Sequence, residues 1–230
     1  MTEQTESLIA NFISSFKALS KKKKEKNVFR EARLLDIRYR LTLDLRISIE
    51  SKYSHTKTKS VRDCYERLFR FLDLWNVYEL CRSYGERLRV CGKNKTSDWN
   101  ENFLLKTRIL DFLQEQAERF KKQFVSSENK AKKFRQYIKH FSELGAINGN
   151  KKKLYDECLS ALEGDFDYKQ LLFIQYMERN AYYHGGEAAR GGIDYGYRKK
   201  QFDFYIAFLT EFVARMGAEL FNKELTMEEN

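Results

Sequence analysis

The spacing of apolar residues along the chain predicts a succession of amphipathic helices. In the first, from about Thr2 to Leu19, apolar residues recur at three- and four-residue steps and therefore share one helix face. A polar, basic break follows at Lys21–Lys26, and a second helix is predicted from Val28 to about Ile49. Part of this segment, Arg40 to Ile49, also alternates apolar and polar residues as a strand would, but its helical surroundings favour a helix.

The same helical pattern continues to the end of the chain. After a polar loop at Ser51–Ser60, a long helix reaches about Arg89, and another begins at a capping box formed by Asp98 and Glu101 and reaches about Phe124. Four further helices are predicted at Glu128–Leu144, Lys152–Leu162, Tyr168–Tyr183 and Arg198–Asn222. Because no pair of strands is convincing, we expect an all-α fold, a bundle of about seven or eight helices.

Size and composition are typical of one helical domain. The chain has 230 residues, no proline and 11 glycines, so little interrupts the helices, and its 18 Phe, 14 Tyr and 2 Trp supply a substantial core. The alternative to a single domain is a subdivision into basic N-terminal helices, residues 1–92, and a C-terminal core, residues 98–230.

Positive charge is concentrated in two segments. Residues 17–62 hold 15 Lys and Arg against 5 Asp and Glu, giving +10, and residues 106–140 hold 10 against 4, giving +6. Residues 151–196 hold 6 against 8, giving −2. Clustered cations bind phosphates by releasing counterions, so the distribution favours a polyanionic partner such as RNA, the alternative being a solvated surface that serves solubility.

Cysteine usage and hydropathy indicate a cytoplasmic protein. The four cysteines show no metal-ligand spacing, so neither a zinc site nor a disulfide framework is expected, and Cys64 and Cys81 fit a core. No carboxylate cluster suggests a catalytic metal, and we expect no cofactor. We also expect no signal peptide and no membrane partner, because no apolar run approaches the length of a bilayer span. The weaker alternative is a membrane-surface contact through the first helix and Lys21 to Lys24.

One segment combines residue types suited to an active site with a helix-terminating glycine pair. Arg179, Asn180 and His184 bring together a permanent cation, a polar amide and a group that titrates near neutral pH, and Gly185 and Gly186 follow at once. A mobile loop with five glycines is predicted at residues 185–196. Glu178 and Glu187 are expected at the surface. Arg135 and His140 repeat the Arg–His separation inside a Lys-rich helix, which we interpret as an exposed helix face.

The spacing Arg-x4-His resembles the motif of the HEPN superfamily, helical domains that often act as metal-independent ribonucleases. Arg179, Asn180 and His184 match the three elements of that pattern, and the resemblance does not extend visibly over the first half of the chain. It implies a HEPN-like core in the C-terminal half, attack of a ribose 2′-OH on the adjacent phosphate, and a toxin or phage-defence role. It also implies a homodimer, with a neutralising or activating protein as a further partner.

In this interpretation His184 transfers protons, Arg179 stabilises the phosphate charge, and Asn180 orients the phosphate or the histidine. On a regular helix, residues five apart are about 140° and about 7.5 Å apart. Convergence on one phosphate therefore requires that the helix end before His184, which the glycine pair favours, or that a second copy contribute, as in HEPN dimers.

RNA-binding residues are expected in three places: the lysine run Lys21, Lys22, Lys23 and Lys24, Arg135, and Tyr183, which with Tyr182 offers a ring for a base to stack on, although core packing is the commoner fate of such tyrosines. A different class of function stays open beside the enzyme: a non-catalytic helical module that binds nucleic acid or a protein, in which Arg179 forms a buried ion pair and His184 caps a helix.

Overall fold

Every regular element of the described chain is a helix. The computed structural model describes residues 2–24, 27–49, 58–92, 98–143, 156, 159, 166–185 and 194–227, without the side chains of residues 58, 141–143, 184 and 185. Of these residues 85% are helical and none belongs to a sheet, which confirms the all-α prediction. The eight helices named in these ranges are α1 (Glu3–Lys23), α2 (Arg30–Asp44), α3 (Thr58–Arg87), α4 (Glu101–Lys106), α5 (Ile109–Phe124), α6 (Glu128–Glu143), α7 (Tyr168–Gly185) and α8 (Tyr195–Thr226).

The chain divides into two compact units made of interleaved segments. Unit 1 comprises residues 1–46, 70–110 and 206–230, and unit 2 comprises residues 47–69 and 111–205. Helices α3 and α8 each contribute residues to both units. The units therefore do not follow the subdivision into residues 1–92 and 98–230 that the charge distribution suggested.

Unit 1 is held together by an aromatic core. The ring of Phe12 in α1 lies 4.7 Å from that of Tyr39 in α2 and 5.0 Å from that of Phe221 in α8, and all three side chains are buried. The Tyr39 hydroxyl donates to the Thr210 carbonyl oxygen at 2.6 Å, so this buried polar group is satisfied. Cys81 in this core is fully buried, as predicted.

Unit 2 has its own core around Phe120 of α5. The centre of the Phe120 ring lies 5.3–5.6 Å from the centres of three other rings. These belong to Phe134 of α6, Phe204 of α8 and Phe166, which precedes α7. Phe120 is fully inaccessible to solvent, which explains why an otherwise charged, strongly amphipathic helix folds against its neighbours. Cys64 is also buried here, and burial raises the pKa of its thiol to about 11, so it is an inert core residue.

Two predicted helix boundaries in the N-terminal half are wrong. Helix α1 continues through Lys23, because the lysine run forms its last turn, where positive charge suits the helix dipole. Helix α2 ends at Asp44, and Leu45 has an extended backbone, so the alternation after Arg40 marked the end of the helix. Residues 45–49 are non-helical and form no strand.

The predicted capping box at Asp98 and Glu101 is also wrong. The N-cap of α4 is Asn100, whose side-chain oxygen accepts from the Phe103 backbone N–H at 3.2 Å. Arg108 has a φ of 57°, and this left-handed residue separates α4 from α5 where one helix was expected. The predicted helix at Lys152–Leu162 and most of the predicted loops at 51–60 and 185–196 lie outside the described residues.

Gly217 provides a test of the unit 1 core. A Cβ at this position of α8 would lie 2.4 Å from Cε2 of the buried Phe12 ring. Gly217→Ala should therefore lower the free energy of unfolding by about 1–3 kcal/mol through overpacking, although alanine is otherwise the better helix former. Urea denaturation measures this change. As a control, Ala207→Gly at an exposed position of the same helix measures the difference in helix propensity between alanine and glycine alone. A Gly217→Ala protein at least as stable as the native one would contradict the packing argument.

Candidate active site

Helix α7 carries the motif and starts at a capping box that the sequence analysis missed. The Asp167 carboxylate accepts from the backbone N–H groups of Lys169 at 2.6 Å and Gln170 at 3.3 Å. In return, Gln170 accepts from the Asp167 N–H at 3.0 Å. The pattern Asp-x-x-Gln was the available signal, and it fixes where the helix begins and thus which way its later residues face.

Arg179 and His184 lie on this one continuous helix. Helix α7 runs through Gly185, so the expectation that it ends before His184 is wrong. Five helical residues separate the two Cα positions by about 7.5 Å along the axis and about 140° around it. The His184 side chain lies outside the described part of the structure, whereas its backbone belongs to α7.

The Arg179 guanidinium is oriented by its own motif. Its Nη1 donates to the Asn180 side-chain oxygen at 2.8 Å, and the guanidinium carbon lies 4.8 Å from the centre of the Tyr183 ring. Its Nε is buried and finds no hydrogen-bond partner among the described residues. No described carboxylate forms an ion pair with Arg179, so the positive charge is not neutralised within that part of the chain.

The two motif tyrosines have different environments. Tyr182 meets Phe69 of α3 edge-on, with ring centres 5.7 Å apart, and burial raises the pKa of its hydroxyl. Tyr183 is 48% exposed and carries the Arg179 guanidinium on its ring. Tyr182 therefore packs against the scaffold, whereas Tyr183 keeps accessible ring surface.

Glu178 is buried, and its expected surface position is wrong. It is 3% exposed and accepts hydrogen bonds from the Arg198 guanidinium of α8 and from the Tyr137 hydroxyl of α6. The cause is helical register: Leu171 and Ile174 lie seven and four residues earlier on the same face, and both are fully buried. Those apolar positions were the signal in the sequence that Glu178 faces inward.

Arg198 extends this contact into a buried polar network. Arg198 also donates to Gln201, and Gln201 donates to the Tyr205 hydroxyl at 2.7 Å. Burial lowers the pKa of Arg198, but the Glu178 carboxylate more than offsets that effect, so its pKa is raised. Burial also raises the pKa of Tyr137 and Tyr205, which keeps both hydroxyls protonated as donors. We call Glu178, Arg198, Tyr137, Gln201 and Tyr205 the buried ion-pair network.

The lysine run does not form one open cationic surface. Lys23 is only 9% exposed, and its ammonium lies 5.7 Å from the centre of the Phe29 ring. Lys22 donates to the Leu225 carbonyl oxygen at 3.2 Å, and Lys24 is an exposed residue with a left-handed φ of 55°. Lys21 lines a pocket of about 400 Å³ in unit 1 with Lys17, Asp36 and Arg40.

The second Arg–His pair lies wholly within α6. Arg135 is exposed and His140 is half-buried. Their separation equals that of Arg179 and His184, and both pairs lie on continuous helices, so spacing alone does not distinguish them.

Metal ligands, membrane spans and relatives give no further assignment. No group of three or more His, Cys, Asp or Glu residues in the described chain could hold a metal ion. The described helices include none that is both long and apolar enough to cross a membrane. No family model matches the sequence, and neither a curated protein nor a solved structure matches it. The HEPN resemblance therefore stays a prediction that rests on the motif residues.

The contrast between Glu178 and Arg179 can be measured as stability. Glu178→Ala leaves the Arg198 guanidinium buried and unpaired, so the free energy of unfolding should fall by about 3–5 kcal/mol. Arg179→Ala removes a half-buried side chain without breaking an ion pair to a described residue and should cost about 1 kcal/mol or less. Chemical denaturation of both variants tests this, and equal losses would show that Arg179 is structural as well.

Proposed function

We propose that the chain is a HEPN-type endoribonuclease whose active site contains Arg179, Asn180 and His184. The observation that carries the proposal is the state of Arg179. Its guanidinium is held by Asn180 and Tyr183, and no described carboxylate neutralises it. A cation kept oriented and unneutralised is suited to binding phosphate oxygens, because a bound phosphate meets donors that are already in position.

The chemistry follows from the residue types. A histidine base takes the proton of a ribose 2′-OH, the freed oxygen attacks the adjacent phosphorus, and the bond from phosphorus to the 5′-oxygen breaks. A second proton donor protonates the leaving 5′-oxygen, so the products are a 2′,3′-cyclic phosphate and a 5′-hydroxyl. Arg179 stabilises the negative charge that develops on the phosphate oxygens. Tyr183 offers its exposed ring to a neighbouring base.

Helix geometry supports a homodimer as the active form. Because α7 continues through His184, one chain directs its Arg179 and His184 positions about 140° apart. A two-fold axis beside α7 would bring an arginine and a histidine of two chains into one cleft, with one histidine as the base and the other as the acid. The RNA substrate, the homodimer, the cytoplasmic location and the toxin or defence role are all parts of this proposal.

The catalytic assignment predicts a specific pattern of loss. Arg179→Ala and His184→Ala should each reduce cleavage of a mixed RNA substrate by at least 100-fold in the presence of EDTA, whereas His140→Ala should leave the rate within about twofold. Gel analysis of the cleavage products measures these rates. Both active-site variants should unfold near the native temperature. If His184→Ala is destabilised and the native protein leaves the RNA intact, the results support the non-catalytic binding module instead.

Dimer dependence gives a second test. Native mass spectrometry should show a species of twice the 27.5 kDa chain mass, and the cleavage rate per chain should fall as the protein is diluted below its dimer dissociation constant. This follows because one helix does not direct both catalytic positions at the same phosphate. A rate per chain that stays constant while the protein becomes monomeric would contradict the shared cleft.

A further inference from the structure

Helix α6 has one buried side and one strongly basic side. Phe134, Tyr137 and Ile138 are fully buried, and they fix which way the helix faces. The exposed side carries five cations, which we call the α6 basic face: Lys130, Lys132, Lys133, Arg135 and Lys139. The described acidic residue on the exposed side of α6 is Glu128, in the first turn.

The α6 basic face brings like charges close together. Lys132, Arg135 and Lys139 follow one another at three- and four-residue steps, and like charges at these spacings destabilise a helix. Lys133 pairs with Asp194 at 3.1 Å, and both side chains are about half exposed. All five side chains of the α6 basic face are exposed, so a polyanion in solution can reach them.

The position of α6 in unit 2 links this potential to the motif. On the side opposite the basic face, the Tyr137 hydroxyl donates to Glu178, the residue immediately before Arg179. Helix α6 is therefore packed directly on the motif helix, and its solvent side is about one helix diameter, 10–12 Å, from that contact. An RNA strand bound along α6 would therefore lie beside the helix that packs on the motif helix.

The lysine run of α1 is the weaker surface by comparison. Lys23 is buried, so the run leaves three exposed lysines, which lie together at the end of α1. The α6 basic face presents five exposed side chains along a single helix. A continuous row of cations matches the repeating charge of a nucleic-acid backbone better than a helix end does.

We infer that the α6 basic face is the surface that binds single-stranded RNA, through phosphate contacts, and guides it to the motif. The inference rests on the proposed function for its substrate. It relocates the main RNA contact from the lysine run to α6, and it makes Arg135 part of the binding surface with no role in the chemistry.

Two charge-matched triple variants test the inference. One carries Lys132→Gln, Arg135→Gln and Lys139→Gln, and the control carries Lys17→Gln, Lys21→Gln and Lys22→Gln in α1. Each removes three positive charges from exposed helix positions, and glutamine keeps helix propensity. The probe is a fluorescent single-stranded 2′-O-methyl RNA, which keeps the phosphates but lacks the attacking hydroxyl, and binding is read as anisotropy over a salt series.

The α6 variant should bind at least 10-fold more weakly than the native chain. Its slope of log affinity against log salt should be shallower by about 2, since each lost phosphate contact removes about 0.7 for a single strand. The control should stay within about threefold. Equal losses in both variants, or a greater loss in the control, would overturn the inference.

Cleavage of unmodified RNA separates the two proposals. If RNA is cleaved but binding does not depend on α6, this inference fails and the ribonuclease proposal stands. If binding depends on α6 but no RNA cleavage that requires Arg179 or His184 is detected, the inference is supported and the ribonuclease proposal fails.

Discussion

The ion pair between Glu178 and Arg198 is the constraint on which unit 2 depends. Both side chains are removed from water, so each charge is tolerable only while the other and its hydrogen-bonding neighbours stay in place. The contact joins α7 to α8, and the Tyr137 hydroxyl brings α6 to the same carboxylate. Because Glu178 is fixed inward, Arg179, one residue or about 100° further around the helix, is turned away from the network. The pair thus decides which way the motif faces.

The same network anchors both sides of the glycine-rich connection. Glu178 lies seven residues before the end of α7, and Arg198 lies three residues after the start of α8. The start of α8 is held a second time, because Asp194 accepts from the Tyr197 backbone N–H at 2.8 Å and pairs with Lys133 of α6. Burial acts to raise the pKa of Asp194, yet these hydrogen bonds and the Lys133 charge lower it, so the carboxylate is ionised at neutral pH. Helix α6 therefore supports the motif region from two directions.

The sequence predicted the helices well where one face was apolar and poorly where a partner was distant. Phe12 in α1 and Phe134 with Ile138 in α6 are apolar residues of such helices, and all three are fully buried. Glu178 was misplaced because a charged residue is exposed by default, and its partner Arg198 lies 20 residues further along the chain, on another helix. The end of α2 was missed because alternation and helical periodicity compete over a short span. The Arg–His pair was visible as a motif, but its orientation depended on Glu178.

The two Arg–His pairs show why spacing is insufficient and surroundings decide. Both occupy continuous helices at the same separation, so neither brings its two side-chain positions together within one chain. Arg135 is one of five exposed cations on α6, where charge repels charge and the row as a whole is suited to a backbone of phosphates. Arg179 is half-buried, bonded to Asn180 and packed on the Tyr183 ring, so its guanidinium is held in one orientation. Attraction of a phosphate backbone along its length requires an exposed row of cations such as that on α6. Stabilisation of a single reacting phosphate requires an oriented cation such as Arg179.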